Sequence, residues 1–280
     1  MSSIIIPAHN EESLISNTIT KVLDQSSNNE IIVVVNGCTD NTYDTANSFS
    51  NDITLIKSDI PSKINALNIG DSHATSYPRI YMDADIQLEE GTLKKITDSL
   101  LKGKLLAVSP IPKMDFSSSS WFVKAYYDIW LSLPYCISGM MGAGVYALSK
   151  EARTRFDKFP DIIADDGYVR ALFKEEERGS VKDAYVIVKA PASLKWLLKI
   201  KIRSRLGQME LASKFPELLK NEEKSYSGAL SNFIKKPQKW PKLFIYLFVT
   251  VVTRIYAKNN LKKIADYQWE KDMSSRIKKE

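Results

Sequence analysis

The chain has 280 residues, of which 44% are hydrophobic, 26% charged and 10% aromatic, with only 11 Gly and 11 Pro. That composition can bury a sizeable core and excludes a disordered, collagen-like or low-complexity chain. The net charge of +6 is uneven: residues 1–192 carry 19 Lys/Arg against 25 Asp/Glu, a net −6, whereas residues 193–280 carry 20 against 8, a net +12.

In chain order, Ser3–Pro7 (SIIIP) is a short apolar run closed by proline and is predicted as a buried first strand. Glu11–Asp24 places Leu14, Ile15, Thr18, Ile19, Val22 and Leu23 at spacings of three and four, the signature of an amphipathic helix. Glu30–Asn36 (EIIVVVN) is continuously β-branched, as a strand covered on both faces of a parallel sheet must be. A helix over Thr42–Phe49, a strand over Ile53–Lys57 and a helix over Lys63–Ala74 follow, the last with Ser62 placed to cap it. Arg79–Met82 is a fourth strand and ends in Asp83-Ala84-Asp85. Strand and helix thus alternate about every 25 residues, which predicts an α/β fold with a doubly wound, mostly parallel, Rossmann-like sheet that binds ligands beyond its carboxyl ends. Three polar clusters fall at such ends: Ala8–Glu11, Asn36–Asp40 and Asp83–Asp85.

Beyond Leu105–Ile111 the alternation breaks. Met114–Ser120 reads as a loop, Trp121–Leu133 as an aromatic-rich helix, and Gly139–Gly144 as a loop into the strand Val145–Leu148. Ala164–Glu177 reads as a helix entered through Asp165-Asp166, and Ala184–Lys189 as the last strand. After Pro191 the chain reads as basic helix. The expected organisation is a catalytic domain over 1–192, with a nucleotide half to about 112 and an acceptor half over 113–192, followed by a helical basic region over 193–280.

Two cysteines, Cys38 and Cys136, exclude a disulfide scaffold and a cysteine-based zinc site and fit a reducing compartment. The N-terminus MSSIIIPAHNEE lacks the basic start of a signal peptide. The nearest approach to a membrane span is Leu243–Thr253, an 11-residue run, against the roughly 18 apolar residues a span needs. A cytoplasmic protein is expected. Trp240–Tyr256, flanked by Lys239, Lys242, Arg254 and Lys258, leaves two readings open: a buried helix, or an interfacial helix held peripherally at an anionic membrane.

The chemistry converges on carboxylates. Asp83 and Asp85 close an apolar strand, and hard cations such as Mn²⁺ or Mg²⁺ take one or two carboxylates together with phosphate oxygens. Lys63, at the head of a helix, could pair a phosphate, and the backbone around Asn10-Glu11 could hold a nucleoside. Each has a plainer alternative, a strand-end Asp, a solvated Lys and a helix cap, so no one of them decides.

Together, however, SIIIPAHNEE, VVVNGCTDNT, KINALNIG and YMDADIQL resemble the successive signatures of family 2 glycosyltransferases, the inverting enzymes of the GT-A fold. The resemblance continues through GMMGAGVYALSKEA and IADDGYVRALF, covering about residues 3–175. It implies a nucleotide-diphosphate sugar donor, a saccharide or lipid-linked saccharide acceptor, Mn²⁺ or Mg²⁺, no nucleic acid partner, and a setting in bacterial surface polysaccharide assembly. It also implies roles. Pro7, Ala8, Asn10, Glu11 and Asn36 line the nucleotide pocket with Lys63, Asp83 and Ala84, and Asp85 is the metal ligand, assisted by Asp83. Gly142, Gly144 and Asp165 lie toward the donor sugar and acceptor. Asp166 is the base that removes the acceptor proton, and adjacent carboxylates suit that task because each opposes the other's ionisation.

Two departures stand out. Val35 and Asn36 replace the Asp pair that commonly precedes the glycine of the second motif, which puts the base identity in doubt. The stretch KIKIRSRLGQ offers Lys201, Arg203 and Arg205, either as a diphosphate clamp or simply as a basic helix face, but lacks the Q-x-x-R-W of processive members, so a single-addition enzyme is expected. The rival readings are a pyrophosphorylase-like nucleotidyltransferase, which wants a Gly-rich basic loop after strand one where this chain has PAHNEE, and a GT-A scaffold without catalysis. A D-x-D phosphatase fits poorly, because its nucleophile follows the first strand.

Overall fold

A computed structural model describes residues 1–25, 28–133, 136, 140, 143–222, 233 and 236–259. The chain divides into two compact units: residues 1–113, 140–161 and 172–188 form the first, and residues 114–139, 162–171 and 189–280 the second.

The first unit carries the sheet. Its opening strands β1 (Ser3–Ala8) and β2 (Glu30–Asn36) are buried almost throughout, as their unbroken apolar runs require. They pair in parallel with Ile4 opposite Ile31 and Ala8 opposite Val35. β3 (Thr54–Ser58) adds to β2, and β4 (Arg79–Met82) adds to β1, both in parallel. With β5 (Gln87–Leu88), β6 (Ala107–Asp115), β7 (Val145–Leu148) and β8 (Arg178–Lys189), the eight-stranded order is β3-β2-β1-β4-β7-β6-β8-β5. The pairs β4–β7, β6–β7 and β5–β8 are antiparallel. The fold is the mixed α/β arrangement expected, with its parallel part at the strands that carry the polar clusters.

Helices cover both faces. Ile15, Ile19 and Val22 of α1 (Ile15–Leu23) and Ala46 of α2 (Thr42–Asn47) join Ile4, Ile6, Val33 and Val35 in one core. The opposite face, with Ile5 and Val34, packs against Gly70 of α3 (Lys63–His73), whose N-terminus is capped by Ser62 accepting from the Asn65 N–H at 3.2 Å. α4 (Thr92–Leu101) buries Leu93, Ile96 and Leu100 at helical spacing, and the short α5 (Lys150–Arg153) follows β7.

A buried ion network ties α3 to β4 and α5. Asp71 accepts from Arg79 and from the Tyr81 hydroxyl, each at 2.5 Å, and from Arg153 Nε at 2.9 Å. Burial alone pushes the Asp71 carboxyl up, but hydrogen bonds from Arg153, Tyr81 and Arg79 outweigh it and hold the group below its ordinary value.

The second unit is helical. It contains α6 (Trp121–Trp130), α7 (Asp165–Ala171), α8 (Leu194–Lys214) and α9 (Trp240–Asn259), with 3₁₀ turns at Pro216–Glu222 and Pro237–Lys239. Tyr126 of α6 stacks on Tyr246 of α9 at 5.5 Å, and Asp128 pairs with Lys239 and Lys242 at 3.1 and 3.2 Å. Lys201 of α8 sits 3.6 Å above the Trp130 ring. Its burial pushes the ammonium pKa down to about 8.

Three expectations need correction. The helix expected over Ala164–Glu177 is only α7, followed by a 3₁₀ turn at Glu175–Glu177. The last strand begins at Arg178 rather than Ala184, because its buried alternation (Gly179, Val181, then Ala184, Val186) skips a step at Lys182-Asp183, where Asp183 takes φ +63. No segment was expected to reach the length of a membrane span, but Pro237–Asn259, 23 residues, is long and apolar enough to cross a membrane by length and composition. It is neither fully buried nor fully free, since one face packs on α6 and α8 and another is exposed.

Candidate active site

In the first unit β1 runs three residues past its pairing with β4, which ends at Ile5 opposite Tyr81. Ile6, Pro7 and Ala8 therefore have β2 on one side only, and Pro7, which has no N–H to donate, costs the sheet nothing there. Beyond Ala8, Asn10 turns the chain with φ +52, a left-handed conformation that Asn tolerates better than most residues. Its side-chain carbonyl accepts the Thr39 N–H at 2.8 Å, its own N–H donates to Cys38 Sγ at 3.1 Å, and Glu11 N–H donates to Thr42 Oγ1 at 2.7 Å. His9 Nδ1 lies 2.6 Å from the Asn36 carbonyl. The turn delays the helix, so α1 begins at Ile15 and not at Glu11. Asn36 is 2% exposed, and its Oδ1 is buried with no hydrogen-bond partner among the described residues. Next to it a recess of about 340 Å³ opens at the ends of β2 and β3, lined by Val35, Gly37, Tyr43, Lys57 and Ser58 among others.

The second element of this crevice is the turn after β4. Ile86 N–H donates to the Asp83 carbonyl at 3.3 Å, closing a tight turn over Asp83-Ala84-Asp85. The turn is pinned twice from outside: Thr18 of α1 donates to the Ala84 carbonyl at 2.7 Å, and Asp83 N–H donates to the Gly144 carbonyl at 2.7 Å. Gly144 has φ +77, and a Cβ there would stand 2.5 Å from Ile86 Cγ1, so the close approach requires glycine. Ala84 is buried while Asp85 is exposed. Asp83 is half-exposed and its Oδ1 lies 2.7 Å from Lys63 Nζ at the head of α3. Two hard-oxygen carboxylates on one fixed turn, next to a cation, form a donor set suited to a divalent ion shared with phosphate.

The second unit holds the other carboxylates. Asp165 is 4% exposed, and Asp166, half-buried, accepts the Gly167 N–H at 2.7 Å. The segment before them is held by α8. Glu210, 7% exposed, accepts the Ile163 N–H at 2.8 Å and pairs with Lys214 at 2.8 Å. Gly207 lets the helix approach so closely that a Cβ there would lie 2.9 Å from that of Ala164. Arg205, one turn earlier on α8, bonds Gln208 at 3.2 Å, and Arg203 lies on the same helix, half-buried.

The sequence profile of Glycosyl transferase family 2 matches residues 3–144. The chain belongs to that family. It is therefore a glycosyltransferase, and its fold agrees with solved GT-A members. A mannosyltransferase from Pyrobaculum calidifontis, solved with GDP-Man and Mn²⁺, superposes with TM-score 0.60 at 18% identity over 95% of this chain and 73% of its own. TarS of S. aureus, solved with UDP-GlcNAc, gives 0.54 at 13% identity over 89% and 79%. GalNAc-T7, solved with UDP, GalNAc and Mn²⁺, gives 0.54 at 12% identity over 68% and 44%. A search of curated proteins found no similar sequence.

Within this transferase the first unit holds Pro7, Ala8, Asn10, Glu11, Asn36, Lys63, Asp83, Ala84, Asp85 and Gly144, of which Asp83 contacts both Lys63 and Gly144, and the second holds Asp165, Asp166, Arg203 and Arg205. Gly142 lies outside the described residues. Lys201, grouped with the two arginines in the sequence reading, is instead packed on Trp130 within the second unit. Sequence reasoning missed the supports: Thr18, Gly207 and Glu210. Gly207 alone left a trace, a glycine inside a long helical run.

Proposed function

We propose that the protein is an inverting, divalent-metal-dependent transferase that moves one sugar from a nucleotide-diphosphate donor to a saccharide or lipid-linked saccharide acceptor. The observation that carries this reading is the Asp83–Asp85 turn, pinned by Thr18 and Gly144 and joined to Lys63 at 2.7 Å at the carboxyl end of the parallel strands. Lys63 exchanges Asp83 for a donor phosphate, and Asp85 with Asp83 holds Mn²⁺ or Mg²⁺. The bound ion supplies charge neutralisation of the diphosphate leaving group. Pro7, Ala8, Asn10 and Glu11 line the nucleoside side. Asn36, whose Oδ1 has no partner among the described residues, accepts a ring N–H, which favours uracil or guanine over adenine or cytosine. The neighbours solved with GDP-Man and with UDP-GlcNAc are consistent with either base.

Asp166 takes the proton of the acceptor hydroxyl. The oxygen then attacks the anomeric carbon as its bond to the phosphate oxygen breaks, the electron pair leaves with the nucleoside diphosphate, and configuration inverts. Asp165 supports Asp166 from its buried position, Gly144 lies on the donor-sugar side, and Arg203 and Arg205 steady the departing diphosphate. The work belongs in the cytoplasm, in the assembly of a bacterial surface polysaccharide. Asp166→Asn tests the mechanism: nucleoside diphosphate release from a nucleotide-sugar panel with Mn²⁺ falls by a hundredfold or more while donor binding is retained, in the range of general-base loss. Unchanged turnover in that variant would remove Asp166 from the reaction.

A further inference from the structure

Helix α9 is two-faced. Ile245, Tyr246, Val249, Thr253 and Ala257 are buried, and the face they form packs on α6 and α8 of the same unit. Trp240, Phe244, Leu247, Phe248, Val251 and Ile255 stand 43–68% exposed. Their spacings of four, three, one, three and four keep them on one stripe, along a helix of 20 residues that measures about 30 Å. Scattered apolar residues are ordinary on a protein surface, but a continuous stripe of this length marks a surface that something covers.

Charge identifies the occupant. α9 contains no Asp or Glu, and of its exposed cations Arg254 flanks the stripe and Lys258 closes its C-terminal end. The chain from 193 to 280 carries 20 Lys/Arg against 8 Asp/Glu. We infer that α9 docks the protein onto an anionic lipid surface, lying in the plane of the interface with its apolar stripe in the acyl boundary and its cations among the headgroups. The opposite face argues against spanning: it packs on α8, whose Lys195, Lys199, Arg203, Arg205, Glu210 and Lys214 are costly to carry into hydrocarbon. Trp240, at the N-terminal end of the stripe, has the amphipathic ring favoured at the headgroup level. The inference rests on the second unit alone and stands whether or not the transferase reading does.

The test uses the full chain and flotation with vesicles of phosphatidylcholine containing about one-third phosphatidylglycerol, against phosphatidylcholine alone. Binding to the anionic vesicles, falling with salt, is expected. The double variant Phe244→Glu/Val251→Glu, altered only at exposed positions, is expected to lose at least tenfold in partition with an unchanged circular dichroism spectrum. Arg254→Gln/Lys258→Gln is expected to lose roughly twenty-fivefold, since each basic residue near such a surface contributes about fivefold. Failure of the wild-type chain to bind overturns the inference. So does binding that the Phe244→Glu/Val251→Glu variant retains in full, which would assign it to basic charge elsewhere. A concentration-dependent dimer that dissolves in this variant, without vesicle binding, would overturn it in favour of a second copy of the chain.

Discussion

Gly144→Ala separates strain from close packing at the Asp83–Asp85 turn. Gly144 has φ +77, and its added Cβ would meet Ile86 at 2.5 and 2.7 Å and Asp83 Oδ2 at 3.3 Å. The left-handed backbone alone costs about 1–2 kcal/mol with a Cβ present, and overpacking adds about 1–3 kcal/mol. The expected loss is therefore about 2–5 kcal/mol. Gly103 supplies the control within the same unit. It has φ +72, but nothing lies within 4 Å of its would-be Cβ, so Gly103→Ala bears only the backbone cost. At about 2–4 °C per kcal/mol for a chain of this size, calorimetry resolves the two melting temperatures. The variants should differ in function too. Displacing Ile86 moves the turn through the Asp83 N–H bond to Gly144, so metal-dependent nucleotide binding should weaken about tenfold in Gly144→Ala and hold in Gly103→Ala. Equal melting temperatures and equal affinities in the two variants would refute the claim that Gly144 is there to let the strand meet the turn.

Two further outcomes concern buried charge. Asp71→Asn leaves Arg79 and Arg153 facing a neutral amide, and denaturant titration should show a loss of about 3–5 kcal/mol, the usual cost of breaking a buried pair. Because the folded carboxyl lies below its ordinary 3.8, the Asp71 contribution is present above that value and lost as pH falls through the folded pKa, so acid unfolding of the wild type and Asp71→Asn should converge at low pH. Lys201 has the opposite sign: with a folded pKa of about 8 against 10.5 unfolded, the unfolded chain binds more protons between those values. Wild-type stability should therefore rise between pH 8 and 10.5 relative to Lys201→Met, by up to about 3 kcal/mol. Parallel pH profiles for the two proteins would contradict the burial of that ammonium.

The parallel core was legible because its signal is local. β1 and β2 are apolar runs, β4 is short and buried, and all three end in polar clusters, so composition and position coincide, and the Ser62 cap is a local event as well. α4 was legible in principle, with Leu93, Ile96 and Leu100 at helical spacing. The start of β8 was hidden because a single residue at positive φ resets its alternation. Supports were hidden for another reason. Asp71 finds Arg153 82 residues away, Thr18 finds Ala84 66 away and Ile163 finds Glu210 47 away, and no pattern along the chain encodes such pairings. α9 was legible to within three residues, as Trp240–Tyr256, but its length as an apolar segment was hidden because Lys242 and Arg254 interrupt the apolar run without interrupting the helix.

The central claim is that the Asp83–Asp85 turn holds a nucleoside diphosphate through a divalent ion. Calorimetric titration with uridine, guanosine, adenosine and cytidine diphosphates, with Mn²⁺ and with EDTA, on wild type and Asp85→Ala, tests it directly. The expected result is Mn²⁺-dependent binding of the uridine or guanosine diphosphate, abolished by EDTA and weakened at least tenfold in Asp85→Ala, as loss of a metal-ligating carboxylate requires. Binding of no nucleotide, or binding indifferent to both the metal and Asp85, would contradict it.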